Sequence, residues 1–229
     1  SLKEFFRHPK EIKNSGLTSK LNNQKIIIQG FGNVGLNTAK SIYEDGGTII
    51  GISEKNGAIF NKDGININNL EKYKFENNTI LNFPNTKNIS SSSELLTYKC
   101  DILIPAALGN QITGDNAYKI KASIVAEGAN GPTNEEGEAI LLEKGITVIP
   151  DILCNSGGVI GSYFEWLQNR NGELWELDEV MQKLEKKLLQ VFKKVEKEVE
   201  ERNTDWRTAA YILAISRIET AYNQRGIFP

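Results

Sequence analysis

A Gly-x-Gly-x-x-Gly turn, Gly30-Phe31-Gly32-Asn33-Val34-Gly35, follows directly on the apolar run Lys25-Ile26-Ile27-Ile28-Gln29, and no other stretch restricts the fold so tightly. A strand that enters such a turn and leaves it as a helix is the seat of a dinucleotide pyrophosphate. Gly30 makes the tight turn, Gly32 lets the backbone approach the phosphates with no Cβ in the way, and Gly35 allows close packing of helix on sheet. The helix expected next, about Asn33 to Asp45, offers unpaired N–H groups and the positive end of its dipole to an anion. Taken alone, the six residues also describe a turn made only for packing. A second apolar run, Thr48-Ile49-Ile50-Gly51-Ile52, ends in Ser53-Glu54. Glu54 stands about 20 residues past Gly35, where an acid accepts hydrogen bonds from the adenosine ribose hydroxyls. A carboxylate there repels a 2′-phosphate, which favours NAD over NADP, while the neighbouring Lys55 offsets part of the charge.

The chain of 229 residues is long enough for one large domain, or one domain with appended helices, and for a substantial core. Its 39% hydrophobic and 24% charged residues are those of an ordinary soluble globular protein. A net charge of −2 supplies no basic field for nucleic acid. No apolar run reaches the length of a bilayer span, no secretory signal opens the chain, and the expectation is a cytoplasmic protein. Cys100 and Cys154 make neither a metal spacing nor a disulfide framework. The single histidine, His8 beside Pro9, reads as a surface residue before a turn, which argues against a histidine-centred metal site or a Ser-His-Asp triad.

Along the chain, Leu2, Phe5, Phe6 and Ile12 approximate one face of an opening helix that Ser15-Gly16 ends. Asn56-Gly57 and Asn61-Lys62-Asp63-Gly64 flank Ala58-Ile59-Phe60 and suggest a small hairpin. The Asn-rich stretches Asn66-Ile67-Asn68-Asn69-Leu70 and Phe75-Glu76-Asn77-Asn78 read as solvated loops. Three further apolar runs follow: Asp101-Ile102-Leu103-Ile104, Ser123-Ile124-Val125-Ala126-Glu127 and Thr147-Val148-Ile149. The segments between them, about Gly114 to Ile120 and Asn134 to Lys144, read as helices, the second opened by a Thr133/Glu136 capping box. Continuous apolar strands alternating with helices mean an α/β fold with a mostly parallel sheet covered on both faces. In the final third, Leu177, Met181, Leu184, Leu188, Phe192, Val195 and Val199 trace a long amphipathic helix. Tyr211, Ile212, Ile215, Ile218 and Tyr222 trace another, closed by Gly226. A coiled coil is the rival reading of the first of these, but about three heptads favour packing on the chain's own domain.

Ligands of open parallel sheets lie beyond the carboxyl ends of the strands. There the chain places Pro105-Ala106-Ala107, Gly128-Ala129-Asn130-Gly131-Pro132-Thr133 and Cys154-Asn155-Ser156-Gly157-Gly158. Small residues leave room for a flat ring, and Asn130 and Asn155 each offer the donor and acceptor that a nicotinamide carboxamide or a ribose requires. Asn-Gly and Asn-Ser-Gly are also ordinary turn chemistry.

Six motifs, in order and nearly end to end, resemble the glutamate/leucine/phenylalanine/valine dehydrogenase family, and most of all its glutamate branch. They are Gln29 to Gly35, Asp101 to Ala107, Ala126 to Thr133, Ile149-Pro150-Asp151 with Asn155 to Val159, Ser162-Tyr163-Phe164-Glu165-Trp166 and Arg207-Thr208-Ala209-Ala210-Tyr211. The resemblance implies a Rossmann-like, doubly wound fold with C-terminal helices: a connecting helix and loop over 1–20, a dinucleotide-binding domain over 21–170 and a helical segment over 171–229 packed on it. It implies NAD-dependent deamination of L-glutamate to 2-oxoglutarate and ammonia by a homo-oligomer. Gly30, Phe31, Gly32, Asn33, Val34 and Gly35 would hold the pyrophosphate, and Glu54 the adenosine ribose. Ala106, Ala107, Asn130 and Asn155 would surround the nicotinamide ribose and ring. Ser162 resembles the family residue that meets the distal carboxylate of glutamate, with Val159 lining the same pocket.

Family members also carry an N-terminal substrate domain with a glycine-rich segment that bears the catalytic lysine. No Gly-Gly-x-Lys-Gly-like segment occurs in this sequence, so the expectation is a cofactor half with no catalytic residue of its own, which turns over little unless joined to a substrate domain. A leucine- or valine-type dehydrogenase and a stand-alone dinucleotide-binding module are the alternatives.

Overall fold

The structure, a computed structural model, describes residues 2–7, 12, 15–17, 20–22 and 24–226. His8 lies outside the described residues, as does much of the stretch between Phe6 and Ser15 over which the opening helix was expected. Ahead of it Leu2–Phe5 forms a turn of helix (α1), and Phe5, Phe6 and Ile12 are buried. The chain divides into two compact units, Leu2–Asp151 and Ile152–Pro229, a boundary well ahead of the expected 170/171 division.

The first unit is built on a seven-stranded sheet. Its strands are β1 (Lys25–Gln29), β2 (Thr48–Glu54), β3 (Gly57–Phe60), β4 (Lys87–Ile89), β5 (Ile102–Pro105), β6 (Ile124–Ala126) and β7 (Thr147–Ile149), in the order β4-β3-β2-β1-β5-β6-β7. The five strands from β2 to β7 on that side pair in parallel, while β3 and β4 pair antiparallel at one edge. This is the Rossmann-like α/β architecture that the apolar runs predict. From β1 the chain builds outward through β2 and then returns to place β5 on the other side of β1. That reversal of direction opens a crevice at the carboxyl ends of β1 and β5.

Burial follows from the strand pattern. Ile27 joins Ile50, Leu95, Leu103, Val125, Leu141 and Val148 in one apolar cluster. Ile26 and Ile28 are fully buried as well, and the alternation of a strand turns them to the opposite face. Helix α2 (Asn33–Glu44), which follows the glycine turn, buries Ala39 and Ile42. The expected hairpin forms at Asn56-Gly57, with Glu54 opposite Gly57.

Three local expectations are corrected. The Asn-rich stretch read as loop is a helix, α3 (Ile67–Asn77): the Asn66 side chain caps it by accepting from the Asn69 N–H, Ile67 and Leu70 are buried, and Asn78 closes it in the left-handed conformation at φ 55°. After the short helix α4 (Ser92–Leu95), residues Gly114 to Ile120 hold only a 3-10 turn, Ala117–Lys119. Lys144 steadies that turn by donating to the carbonyls of Ala117, Tyr118 and Ile120. Helix α5 (Glu135–Glu143) is capped by Asn134, which accepts from Gly137 N–H at 2.8 Å; Thr133 instead is buried with its hydroxyl unpartnered.

The second unit is helical. A short turn α6 (Asp151–Cys154) begins at the boundary, followed by α7 (Ser156–Asn171), α8 (Leu177–Arg202) and α9 (Trp206–Arg225). Helix α8 packs on both α7 and α9. Its apolar stripe is buried at Phe192 and Val195, with the Phe192 ring 5.1 Å from that of Trp206. Toward its start Leu177 and Met181 are exposed, and on α9 the buried residues are Trp206, Ala209 and Ala210 rather than Ile215, Ile218 and Tyr222. No helix among the described residues is long and apolar enough to cross a membrane.

Candidate functional site

The site residues in the first unit converge at the carboxyl ends of β1, β5 and β6. Gly30 adopts φ +98°, closed to most side chains, and a Cβ there would stand 2.8 Å from the Ala106 carbonyl oxygen and 3.1 Å from the Ala107 Cβ. A Cβ on Gly35 would stand 2.0 Å from the Gly30 carbonyl oxygen, so the helix sits directly on its own turn. Gly32 differs from both. A Cβ there would meet nothing within 4 Å, and Gly32 caps α2 without any side-chain hydrogen bond. The start of α2 therefore has open space beside Gly32 and takes no side-chain cap, a setting that suits an anion at a helix N-terminus. Asn33 and Val34 are exposed beside it, whereas Phe31 is buried.

Ala106 donates its N–H to the Gln29 carbonyl at 2.8 Å, tying the Ala106-Ala107 turn to the end of β1. Gly128 and Ala129 donate to the Pro105 carbonyl at 3.0 and 2.9 Å. The loop they open carries the exposed Asn130. Its next residue, Gly131, donates its N–H to the Asp151 carboxylate at 2.8 Å, while the buried Glu127 carboxylate accepts from the Asp151 N–H at 2.9 Å. The Asp151 carboxylate thus holds the Asn130 loop by its backbone, and the Glu127 carboxylate holds Asp151 in turn.

Glu54 ends β2 and is half-buried. Sequence reasoning missed its partner. The cation against its carboxylate is Lys74 of α3, whose ammonium also donates to the Phe31 carbonyl at 2.7 Å and lies 5.2 Å from the centre of the Phe31 ring. Lys55, the expected offset to that charge, is exposed. Helix α3 is set in place by the Lys40 to Glu71 ion pair, 2.6 Å, which ties it to α2. Lys74, between two stretches read as loop, gave no sign of reaching the glycine turn; a capping Asn66 followed by Ile67 and Leu70 three residues apart was the available signal.

Asn155, Val159 and Ser162 belong to the second unit. Asn155 stands at the start of α7, and Val159 and Ser162 follow at spacings of four and three, which puts the three on one helix face. Val159 is 75% exposed and Ser162 is exposed with it. Cys100 is not poised as a nucleophile: burial, aided by the Asp101 charge, pushes its thiol up to about 12, so it stays protonated at neutral pH.

The sequence model of the glutamate/leucine/phenylalanine/valine dehydrogenases matches residues 9–226. The chain belongs to that family. Among curated relatives, it is 44% identical over 209 residues to NAD-specific glutamate dehydrogenase A of Halobacterium salinarum, covering 91% of this chain and 48% of that protein. It is 46% identical over 205 residues to the glutamate dehydrogenase of Thermotoga maritima, covering 89% and 49%. Among solved structures, it is similar to glutamate dehydrogenase from Peptoniphilus asaccharolyticus, with TM-score 0.78 and 39% identity over 96% of this chain and 51% of that one. The hetero-hexameric glutamate dehydrogenase of Thermus thermophilus gives TM-score 0.87 at 28% identity, over 100% and 53%. The chain spans about half the length of the relatives it matches.

Proposed function

We propose that this chain is the dinucleotide-binding part of an NAD-dependent glutamate dehydrogenase, acting in the oxidative deamination of L-glutamate to 2-oxoglutarate and ammonia. The observation that carries the reading is the uncapped start of α2 at Gly32, where a Cβ would meet nothing within 4 Å. It fits the pyrophosphate of a dinucleotide, and relatives at 44% and 46% identity include proteins named NAD-specific glutamate dehydrogenases.

In this reading the N–H groups of Asn33, Val34 and Gly35 bind the pyrophosphate, and Glu54 accepts from the adenosine ribose hydroxyls. Ala106 and Ala107 leave room for the nicotinamide ring, while Asn130 and Asn155 orient it through donor and acceptor together. Val159 and Ser162 receive the substrate side chain, the Ser162 hydroxyl donating to its distal carboxylate. NAD, when bound, supplies the hydride acceptor. Proton transfer and the binding of the substrate's amino-acid end are assigned to a substrate-binding half of the kind other family members carry, so this chain alone binds cofactor and turns over little.

Glu54 favours NADH over NADPH, and Lys74 beside it limits the margin to about tenfold, or about 1.4 kcal/mol. Fluorescence titration of both cofactors against the purified chain checks this, with Glu54→Gln narrowing the difference; a chain that prefers NADPH contradicts the ribose assignment. In the whole enzyme that carries this chain, Ser162→Val is expected to raise KM for glutamate more than for norvaline. An unchanged glutamate preference would remove Ser162 from the substrate pocket.

A further inference from the structure

Gln29 is the last residue of β1, opposite Ser53 of β2 on one side and Pro105 of β5 on the other. Its side chain sits at the reversal of strand order and is 1% exposed. Buried amides must find partners, and those of Gln29 lie in two directions. Its Nε2 donates to the Gln111 Oε1 at 2.8 Å and to the Ser92 Oγ at 3.2 Å. The Ser92 hydroxyl in turn shares a hydrogen bond of 2.7 Å with the buried hydroxyl of Ser53, the residue before Glu54. On the other side, the Gln111 Nε2 donates to the Gly109 carbonyl at 3.0 Å.

The orientations are fixed in sequence. A carbonyl only accepts, so Gln111 must turn its NH2 to Gly109 and its oxygen to Gln29, and Gln29 must then present its own NH2. The Gln29 Oε1 is left buried with no partner. A buried acceptor without a donor costs stability, so the network is poorly explained as a device for holding the core together. Its ends suggest another task. One end is Ser53, beside the proposed ribose acid. The other is the 109–111 loop, whose Asn110 and Gln111 N–H groups bond the Gly131 and Pro132 carbonyls at 2.8 and 2.7 Å, next to Asn130.

Resting on the dinucleotide reading above, we infer that Gln29 is a positioning residue that, through Ser92 and Gln111, sets the distance between the adenosine-ribose end of the site at Glu54 and the nicotinamide end at Asn130. Only a ligand that reaches both ends feels that distance. A dinucleotide uses a prearranged spacing, while ADP, which engages the glycine turn and Glu54 but carries neither the second ribose nor the nicotinamide, is indifferent to it.

The test is isothermal titration of NADH and of ADP against the parent chain, Gln29→Met and Gln111→Met, with each variant checked for a cooperative thermal transition. The expected result is a roughly tenfold rise in Kd for NADH with ADP unchanged within about twofold. Gln111→Met alters a partly exposed residue and carries the test if Gln29→Met does not fold. Equal weakening of both ligands, or of neither, overturns the positioning role while leaving the dinucleotide reading intact. A parent chain that binds neither ligand overturns both.

Discussion

In the sheet unit, Ile26, Ile27 and Ile28 of β1 are fully buried, whereas in the helical unit Ile215 and Ile218 of α9 and Met181 of α8 stand more than half exposed. Both sets have the periodicity that ordinarily marks a buried face. The difference lies in what closes over it. Strand β1 is flanked by β2 and β5 and covered by apolar residues such as Ile42 and Leu95. Helices α8 and α9 bury Phe192, Val195, Trp206, Ala209 and Ala210, while Leu184, Leu188 and Ile212 are half-buried and Met181, Ile215 and Ile218 are left open. Periodicity specifies an element and the face it offers; burial requires a second surface.

The sharpest way to break this contrast is a pair of truncations. Ile27→Ala removes a fully buried side chain from the central cluster and is expected to cost about 4 kcal/mol. Ile218→Ala, at a position 57% exposed, should stay within about 0.5 kcal/mol of the parent. Urea unfolding of both variants measures the difference. Equal losses would mean that the exposed face of α9 is buried in the protein as it exists in solution.

A smaller effect separates the units by pH. Asp205 caps α9, accepting from the Thr208 N–H at 2.8 Å and the Thr208 hydroxyl at 2.7 Å. Partial burial pushes its carboxyl up, but these hydrogen bonds together outweigh that and hold it below the ordinary value of 3.8. A depressed folded value contributes stability that is present above about pH 4 and lost as the pH falls through the folded pKa. Asp205→Ala is expected to cost about 1 kcal/mol at pH 7. Asp205→Asn keeps an acceptor, so its deficit against the parent is a few tenths of a kcal/mol at pH 7 and narrows at pH 3, below the ordinary carboxylate value. Denaturant titrations at the two pH values check the sign; a deficit that grows in acid would contradict the capping account.

Much of the architecture was legible because it rests on short-range rules. The apolar strands, the glycine turn, the Asn56-Gly57 hairpin and the closing Gly226 each follow from a few adjacent residues. What escaped notice depends on residues far apart in sequence. Composition made 66–70 and 75–78 look like solvated loops, yet a capping asparagine and two buried side chains suffice for one helix across both, and that helix brings Lys74 to Glu54. Thr133 has the spacing of a capping box, but Asn134 takes the cap while the Thr133 hydroxyl is buried. Gln29 reads as part of the glycine motif, and only the fold reveals that Ser53, Ser92 and Gln111 meet it. For the candidate site, the sequence located the loops and the structure supplied the tethers between them.

The central claim is that a dinucleotide lies against the open start of α2. The most direct measurement is NADH binding to the chain and to Gly32→Val by fluorescence titration. The account predicts saturable binding by the parent and its loss in Gly32→Val, with the thermal transition retained, because a branched side chain would fill the open space at Gly32 that the phosphates need. Equal NADH binding by parent and variant, or none by the parent at millimolar cofactor, would contradict it.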